Sequence, residues 1–472
     1  MKLSTQLRED TGYGWVMARL EPVSPFGHAL ARSPRWYGPG EEGPLEEEFS
    51  RVEALRALLD AGEPALDSLT HILSQFRDIR NSLRRPTNAP MDEMELFEVK
   101  YFLLHLERLA QTYALIPALE GMEIQSMEES LNLLDPSGRR LPAFSVENAF
   151  APALERVRAE KALVEGRLRQ AEGTERDGLM ACRRSLVERE NQLELEARKG
   201  LTMSLLRQRE SLLAAMEAVG RLDLLLAKAR LARRFSCCRP EITKQPRVEA
   251  VDMVHPEVAA YLGERGGSFT AVSLTLERGT TVITGANMGG KSVSMKSLTL
   301  NLLLAQTGFF TFAGAFSAPL FHSVCLICTD RQSVEQGLSS FGAEMSALGA
   351  VLREEKDKFF YIALDEFARG TNPREGAALA RALAEYLGRL NCVALMTTHY
   401  DGVSDAARRH YRVAGLGALD TAALHKDGAS LEHLSRLMDY HLIEAKPGEP
   451  CPRDALRVCR LLDLDPALME IF

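Results

Sequence analysis

Thr284-Gly-Ala-Asn-Met-Gly-Gly-Lys-Ser292 decides how this 472-residue chain is read. The stretch fits G-x-x-x-x-G-K-[ST], and it lies between an apolar run at 281–284 (TVIT) and the helix-like segment KSVSMKSLTLNLLLAQ from Lys291. Strand, glycine-rich turn and helix together form a phosphate cradle: glycines let successive backbone N–H groups point inward, and the helix N-terminus adds partial positive charge. Gly285, Ala286, Asn287, Met288, Gly289, Gly290, Lys291, Ser292 and Val293 are therefore expected to bind the phosphates of ATP. In such a loop the lysine bridges β- and γ-phosphate oxygens and the Ser292 hydroxyl ligates Mg²⁺.

Downstream, Phe359-Phe-Tyr-Ile-Ala-Leu-Asp365-Glu366 is an apolar strand ending in two acids. Side chains of adjacent strand residues diverge, so the two carboxylates are expected to serve different ends. Asp365 is placed to hold Mg²⁺, and Glu366 to orient and deprotonate the attacking water. A further strand, VALMTTH, ends in His399, where an imidazole is placed to sense the γ-phosphate or its water. Lys291, Glu366 and His399 are the catalytic candidates, and Ser292 and Asp365 the metal candidates.

Outward from these motifs, short β-rich segments (AVSLTLE, TTVITGA, SVCLICT, FFYIALDE, CVALMTTH) alternate with helical ones after about residue 240. That alternation predicts a parallel sheet with helices on both faces. Between residues 45 and 238 the pattern is helical, with apolar residues at three and four spacing through 52–79 and 94–119. Residues 150–215, rich in Glu, Arg, Leu, Ala and Gln, predict an antiparallel helical hairpin with its tip near Gly173 to Gly178. Its alternating charges read as a solvated face. Residues 1–44, rich in Gly, Pro and aromatics without a period, read as an arm or extension. The division expected is 1–44, 45–238 and 239–472.

Composition narrows the function classes. Hydrophobic residues at 46% and charged residues at 26% are globular values. No apolar run is long enough to cross a bilayer and the first residues lack a signal peptide's apolar core, so the expected location is cytoplasmic, with no membrane partner. Eight cysteines without framework spacing suit reduced thiols, and Cys325-Leu-Ile-Cys328 sits in an apolar run that reads as a buried strand. A net charge of −8 gives no global attraction to nucleic acid.

Four motifs in order resemble the MutS family of ATPases. Thr284 to Ser292 is close to T-G-P-N-M-G-G-K-S, with Ala286 in place of proline. Ser339-Ser-Phe-Gly-Ala-Glu-Met345 is similar to S-T-F-x-x-E-M, Leu364 to Thr371 matches L-D-E-x-x-R-G-T, and Thr397-Thr-His-Tyr400 matches the T-H-Y that follows. Gln332 to Ser340 and Thr371 to Leu379 lean toward the second bacterial branch, whose members usually end in an Smr nuclease domain. The resemblance implies a multidomain protein: an all-α core and lever domain with a helical hairpin, then an α/β P-loop, ABC-like ATPase domain. It implies a Mg²⁺-dependent ATPase acting as a homodimer, with Ser339 and Ser340 reaching across to the partner's ATP. His399 would be the γ-phosphate-linked histidine, and Arg369 to Asn372 a loop communicating between the two sites.

The sequence departs from the family at three points. None of its 19 phenylalanines is followed by Glu two positions on, so the Phe-x-Glu wedge of mismatch-reading members is not expected. Residues 455–472 read as the short helical end of the ATPase domain, with no nuclease domain expected. The hairpin carries mixed charge without a basic tip. Two functions stay open: an ATPase of the mismatch repair or recombination type that binds duplex or branched DNA, or one that remodels a metabolic enzyme, such as a reactivase of a cobalamin-dependent aminomutase.

Overall fold

Apolar runs bounded by glycine and polar residues become the strands that carry the site. A computed structural model describes residues 3–86, 89–116, 122–285, 290–328, 340–415 and 438–451. Two compact units are present: residues 1–21, 33–56 and 228–472 form one, and residues 22–32 and 57–227 the other.

In the first unit ten strands are described: β1 (Glu241–Ile242), β2 (Arg247–Met253), β3 (Val272–Glu277), β4 (Gly279–Thr284), β5 (Ala315–Ala318), β6 (Ser323–Cys328), β7 (Phe360–Asp365), β8 (Cys392–Thr398), β9 (Arg409–Gly415) and β10 (Asp439–Ala445). A six-stranded sheet runs β10-β9-β4-β8-β7-β6, and a four-stranded one β1-β5-β2-β3. In the larger sheet β9, β4, β8, β7 and β6 are mutually parallel and β10 is antiparallel to β9. Strands β4 and β8 are buried along their whole length, as the inner strands of a parallel sheet covered on both faces must be. Register aligns their ends: Thr284 lies opposite Thr398, and Asp365 opposite Thr397.

Apolar side chains of Val282, Ile362, Leu364, Ala394 and Met396 from this sheet pack with Leu383 and Leu387 of the helix Pro373–Arg389. Cys325 and Cys328 lie three residues apart on β6 and so face opposite sides of the strand. Both are free thiols, and burial pushes the Cys325 thiol up to about 11. No helix among the described residues is long and apolar enough to cross a membrane.

The regular elements described in the second unit are all helices, with Pro64–Ser74, Glu93–Tyr113 and Glu128–Leu134 among them. Asp92 caps the second of these in a reciprocal capping box with Glu95. The hairpin is formed by Pro152–Leu168 and the 35-residue Gly173–Arg207. Its turn occupies residues 169–172, immediately before the expected tip at Gly173 to Gly178. Gly178 lies inside the second helix, where a single glycine costs only about 1 kcal/mol. Arg158 pairs with Glu190 at 2.9 Å and Glu194 at 2.8 Å, and Arg183 with Glu165 at 2.8 Å. The alternating charges thus meet one another across the hairpin.

Residues 1–44, set apart as an arm in the sequence reading, are distributed between the two units. In the first, Tyr13 is fully buried, its hydroxyl 3.2 Å from Thr307 Oγ1, and Tyr37 and Gln306 exchange two hydrogen bonds through their backbones and the Gln306 amide. In the second, buried Asp223 accepts from Ser24 N at 2.7 Å, Ser24 Oγ at 2.6 Å and Val23 N at 3.1 Å, ahead of the helix Pro25–Arg32. Aromatic anchors and a buried carboxylate order this segment without any periodic pattern. Asp223→Ala would leave two backbone N–H groups unpaired. It is expected to destabilise the helical unit by about 2–4 kcal/mol, read as a lower denaturant midpoint for that unit.

Candidate functional site

Strands β4, β7 and β8 end together, and the loops leaving β4 and β7 line one cleft, at the carboxyl edge where open α/β sheets bind ligands. Beyond β4 the chain turns at Gly285 and re-enters regular structure at Gly290, the N-cap of the helix Lys291–Gln306. Gly290 has φ +78, and a Cβ there would stand 3.1 Å from the Tyr440 ring, so both conformation and space call for glycine. Ala286, Asn287, Met288 and Gly289 lie outside the described residues.

Lys291 opens the helix and reaches back into the turn. Its ammonium, 3% exposed, donates to Gly285 O at 2.7 Å and stands 3.6 Å from Glu366 Oε1. Burial holds its pKa below the ordinary value, against the pull of Glu366 and Asp365. Ser292 Oγ donates to Asp365 Oδ1 at 2.8 Å. The same oxygen accepts from Thr397 Oγ1 at 2.6 Å, and Thr397 Oγ1 in turn accepts from Glu366 N at 3.0 Å. One threonine hydroxyl therefore ties the two acids together.

Adjacent strand residues diverge, yet Asp365 and Glu366 line the same cleft. The reason is local. Strand β7 stops at Asp365, and Glu366 takes φ +48, a left-handed conformation that costs a non-glycine residue roughly 1–2 kcal/mol. The turn brings the Glu366 carboxylate to Lys291 on one side and to Arg369 Nη1, at 2.7 Å, on the other.

The cleft encloses about 1310 Å³, ample beside the roughly 300–1,000 Å³ usual for small-molecule pockets. Lys291, Ser292, Asp365, Glu366 and Arg369 make a charged end; Val258, Leu262 and Phe269 supply apolar wall, and Val293 and Tyr440 also line it. A polyanion with an apolar head is the ligand chemistry that suits such a lining. Ser292 Oγ and Asp365 Oδ1 are hard oxygen donors of the type Mg²⁺ takes. Among the described residues no group of three or more His, Cys, Asp or Glu is arranged to hold a metal ion, so a cation here would draw its remaining oxygens from phosphate and water.

His399 stands apart from this cluster. It follows β8, is exposed, and packs its ring on Tyr400 with centroids 4.5 Å apart, without lining the cleft. Ser340 begins the helix Ser340–Glu355, and Ser339 lies outside the described residues. Sequence reasoning did not single out Thr397 as the link between the acids, although it stands in the TTHY motif. Phe269 and Tyr440 come from segments with no motif at all.

Residues 281–438 match the family model of MutS domain V. Those residues carry a likeness to the MutS family. Every residue of the charged end falls within that match, whereas Val258, Leu262 and Phe269 of the apolar wall precede it. Among similar proteins are the MutS2 endonucleases of Thermomicrobium roseum, 35% identical over 273 residues, and of Symbiobacterium thermophilum, 30% over 262. The first alignment covers 56% of this chain and 32% of the relative, the second 55% and 30%. The MutS2 endonuclease of a Staphylococcus epidermidis strain is 34% identical over 197 residues, 40% of this chain and 24% of that protein. The chain thus matches a third or less of the length of these curated relatives.

Proposed function

We propose that this chain is a Mg²⁺-dependent ATPase of the MutS type, hydrolysing ATP to ADP and phosphate, whose nucleotide state drives conformational change in the handling of DNA structure. The convergence of Lys291, Ser292, Asp365 and Glu366 on one cleft is the observation that carries the reading. Lys291 meets the β- and γ-phosphates, exchanging Gly285 O and Glu366 for phosphate oxygens, and Gly285 to Val293 wrap the chain. Ser292 and Asp365 hold the cation, which supplies charge neutralisation at the phosphates. Glu366 orients the attacking water and takes its proton.

The protein acts as a homodimer in the cytoplasm, Ser339 and Ser340 completing the neighbour's site and His399 answering to the γ-phosphate. The name MutS2 endonuclease of its relatives supports a duplex or branched DNA client over a metabolic enzyme. Phosphate release by the purified chain with Mg²⁺ and ATP, measured with and without duplex and branched DNA over a salt series, tests this. Turnover together with DNA affinity that falls steeply with salt is expected. Absence of phosphate release sinks the ATPase assignment, and absence of salt-dependent affinity sinks the DNA client.

A further inference from the structure

The turn that carries Glu366 is held from three directions, and one hold comes from a distant element. Two non-glycine residues in it, Glu366 at φ +48 and Ala368 at φ +63, are left-handed, so the turn persists only where its surroundings fix it. Thr397 takes Glu366 N, and the Tyr400 hydroxyl donates to Ala368 O at 3.2 Å; both come from β8 and the residues just after it. The third hold is Glu344, on the helix Ser340–Glu355, whose Oε2 accepts from Ala368 N at 3.0 Å.

Glu344 is an unusual residue for a mere cap. It is 4% exposed, and its other oxygen is enclosed with no hydrogen-bond partner among the described residues. Burial pushes the carboxyl up to about 7. Around it stand Phe341 and Met345 of its own helix, partly buried against the core that also contains Phe367 and Tyr400. A half-satisfied carboxyl in such surroundings opposes stability. What it does achieve is a bond between the segment beginning at Ser340 and the backbone two residues beyond Glu366.

We propose that Glu344 is a positioning residue for hydrolysis: by holding Ala368 N it fixes the turn that aims Glu366, and ties that aim to the seating of the Ser340 helix. This rests on the reading of Glu366 as the group that takes the proton from water. Glu344 does not line the cleft, so it acts on the rate of the chemical step and leaves nucleotide binding alone.

The test compares Glu344→Met, which keeps volume and removes the acceptor, with Glu344→Gln, which keeps an acceptor oxygen, in the full chain. Turnover is normalised to the amount of a fluorescent ATP analogue bound, so partial misfolding does not enter the rate. Glu344→Met should lower kcat by about 10- to 100-fold with KM within about threefold of the parent, the effect of a small misplacement of a reacting group. Glu344→Gln should restore kcat to within about threefold, because the amide oxygen still accepts from Ala368 N. Parental kcat in Glu344→Met, or an equal loss in Glu344→Gln, overturns the proposal. Failure of the underlying reading has a separate mark: Glu366→Gln would then turn over at the parental rate, whereas failure of the Glu344 assignment alone leaves Glu366→Gln slow and Glu344→Met fast.

Discussion

Glu366→Gln is expected to bind ATP with nearly parental affinity and to hydrolyse it about 10²- to 10⁴-fold more slowly, the range a positioned general base contributes. The amide matches the carboxylate in size, so the left-handed turn and the hydrogen bond from Glu366 N to Thr397 Oγ1 at 3.0 Å remain. What is lost is the acceptor for the water's proton. The substitution also removes one negative charge facing Lys291 and Arg369, and that change favours a polyanionic ligand. Binding should therefore hold or tighten while turnover collapses. Titration of a fluorescent ATP analogue and phosphate release on the same preparation separate the two effects. Parental turnover removes Glu366 from the proposed role, and loss of binding together with turnover would mean that its main service is to hold Lys291 and Arg369 in place.

That separation depends on a feature invisible in residue identities. The two acids at 365 and 366 were legible because an apolar strand followed by Asp-Glu, downstream of a glycine-rich loop, has few other uses. Their geometry was not. Alternation along a strand assumes extended backbone, and β7 ends one residue too soon for the rule to reach Glu366. The position of Thr397 between the acids follows from the register of β7 against β8, a long-range fact that local pattern does not contain.

The same distinction explains the rest. Continuous apolar runs announced β4, β7 and β8 because strands buried on both faces need no alternation to be noticed. The N-terminal 44 residues announced nothing, since their order comes from isolated anchors such as Tyr13, Tyr37 and the Asp223 contacts with Val23 and Ser24. At the hairpin, glycine spacing points to a break at 173–178, whereas a long helix absorbs Gly178 and places its turn just before Gly173. His399 ends the strand beside the acids, yet it is exposed and does not line the cleft, a placement that strand order alone does not convey.

Lys291→Ala should raise the Kd for ATP by at least about 100-fold, and two effects of similar size combine to give it. Charge-assisted hydrogen bonds to phosphate oxygens are lost, each worth about 1.5–3 kcal/mol. In addition the Glu366 carboxylate, 13% exposed, loses the ammonium at 3.6 Å and then faces the incoming phosphates with only Arg369 to offset it. The two effects can be told apart. Adding Glu366→Gln to Lys291→Ala removes the repulsion without restoring the donor, so the double variant should regain about tenfold in affinity, a non-additivity of about 1.4 kcal/mol, while remaining without turnover. Calorimetric titration of the parent, both single variants and the double variant completes the cycle. Parental affinity in Lys291→Ala would take the lysine out of the phosphate site. Strict additivity would instead leave the phosphate bonds as its whole contribution, and would mean that the carboxylate 3.6 Å away is screened from the ligand by Arg369 and water.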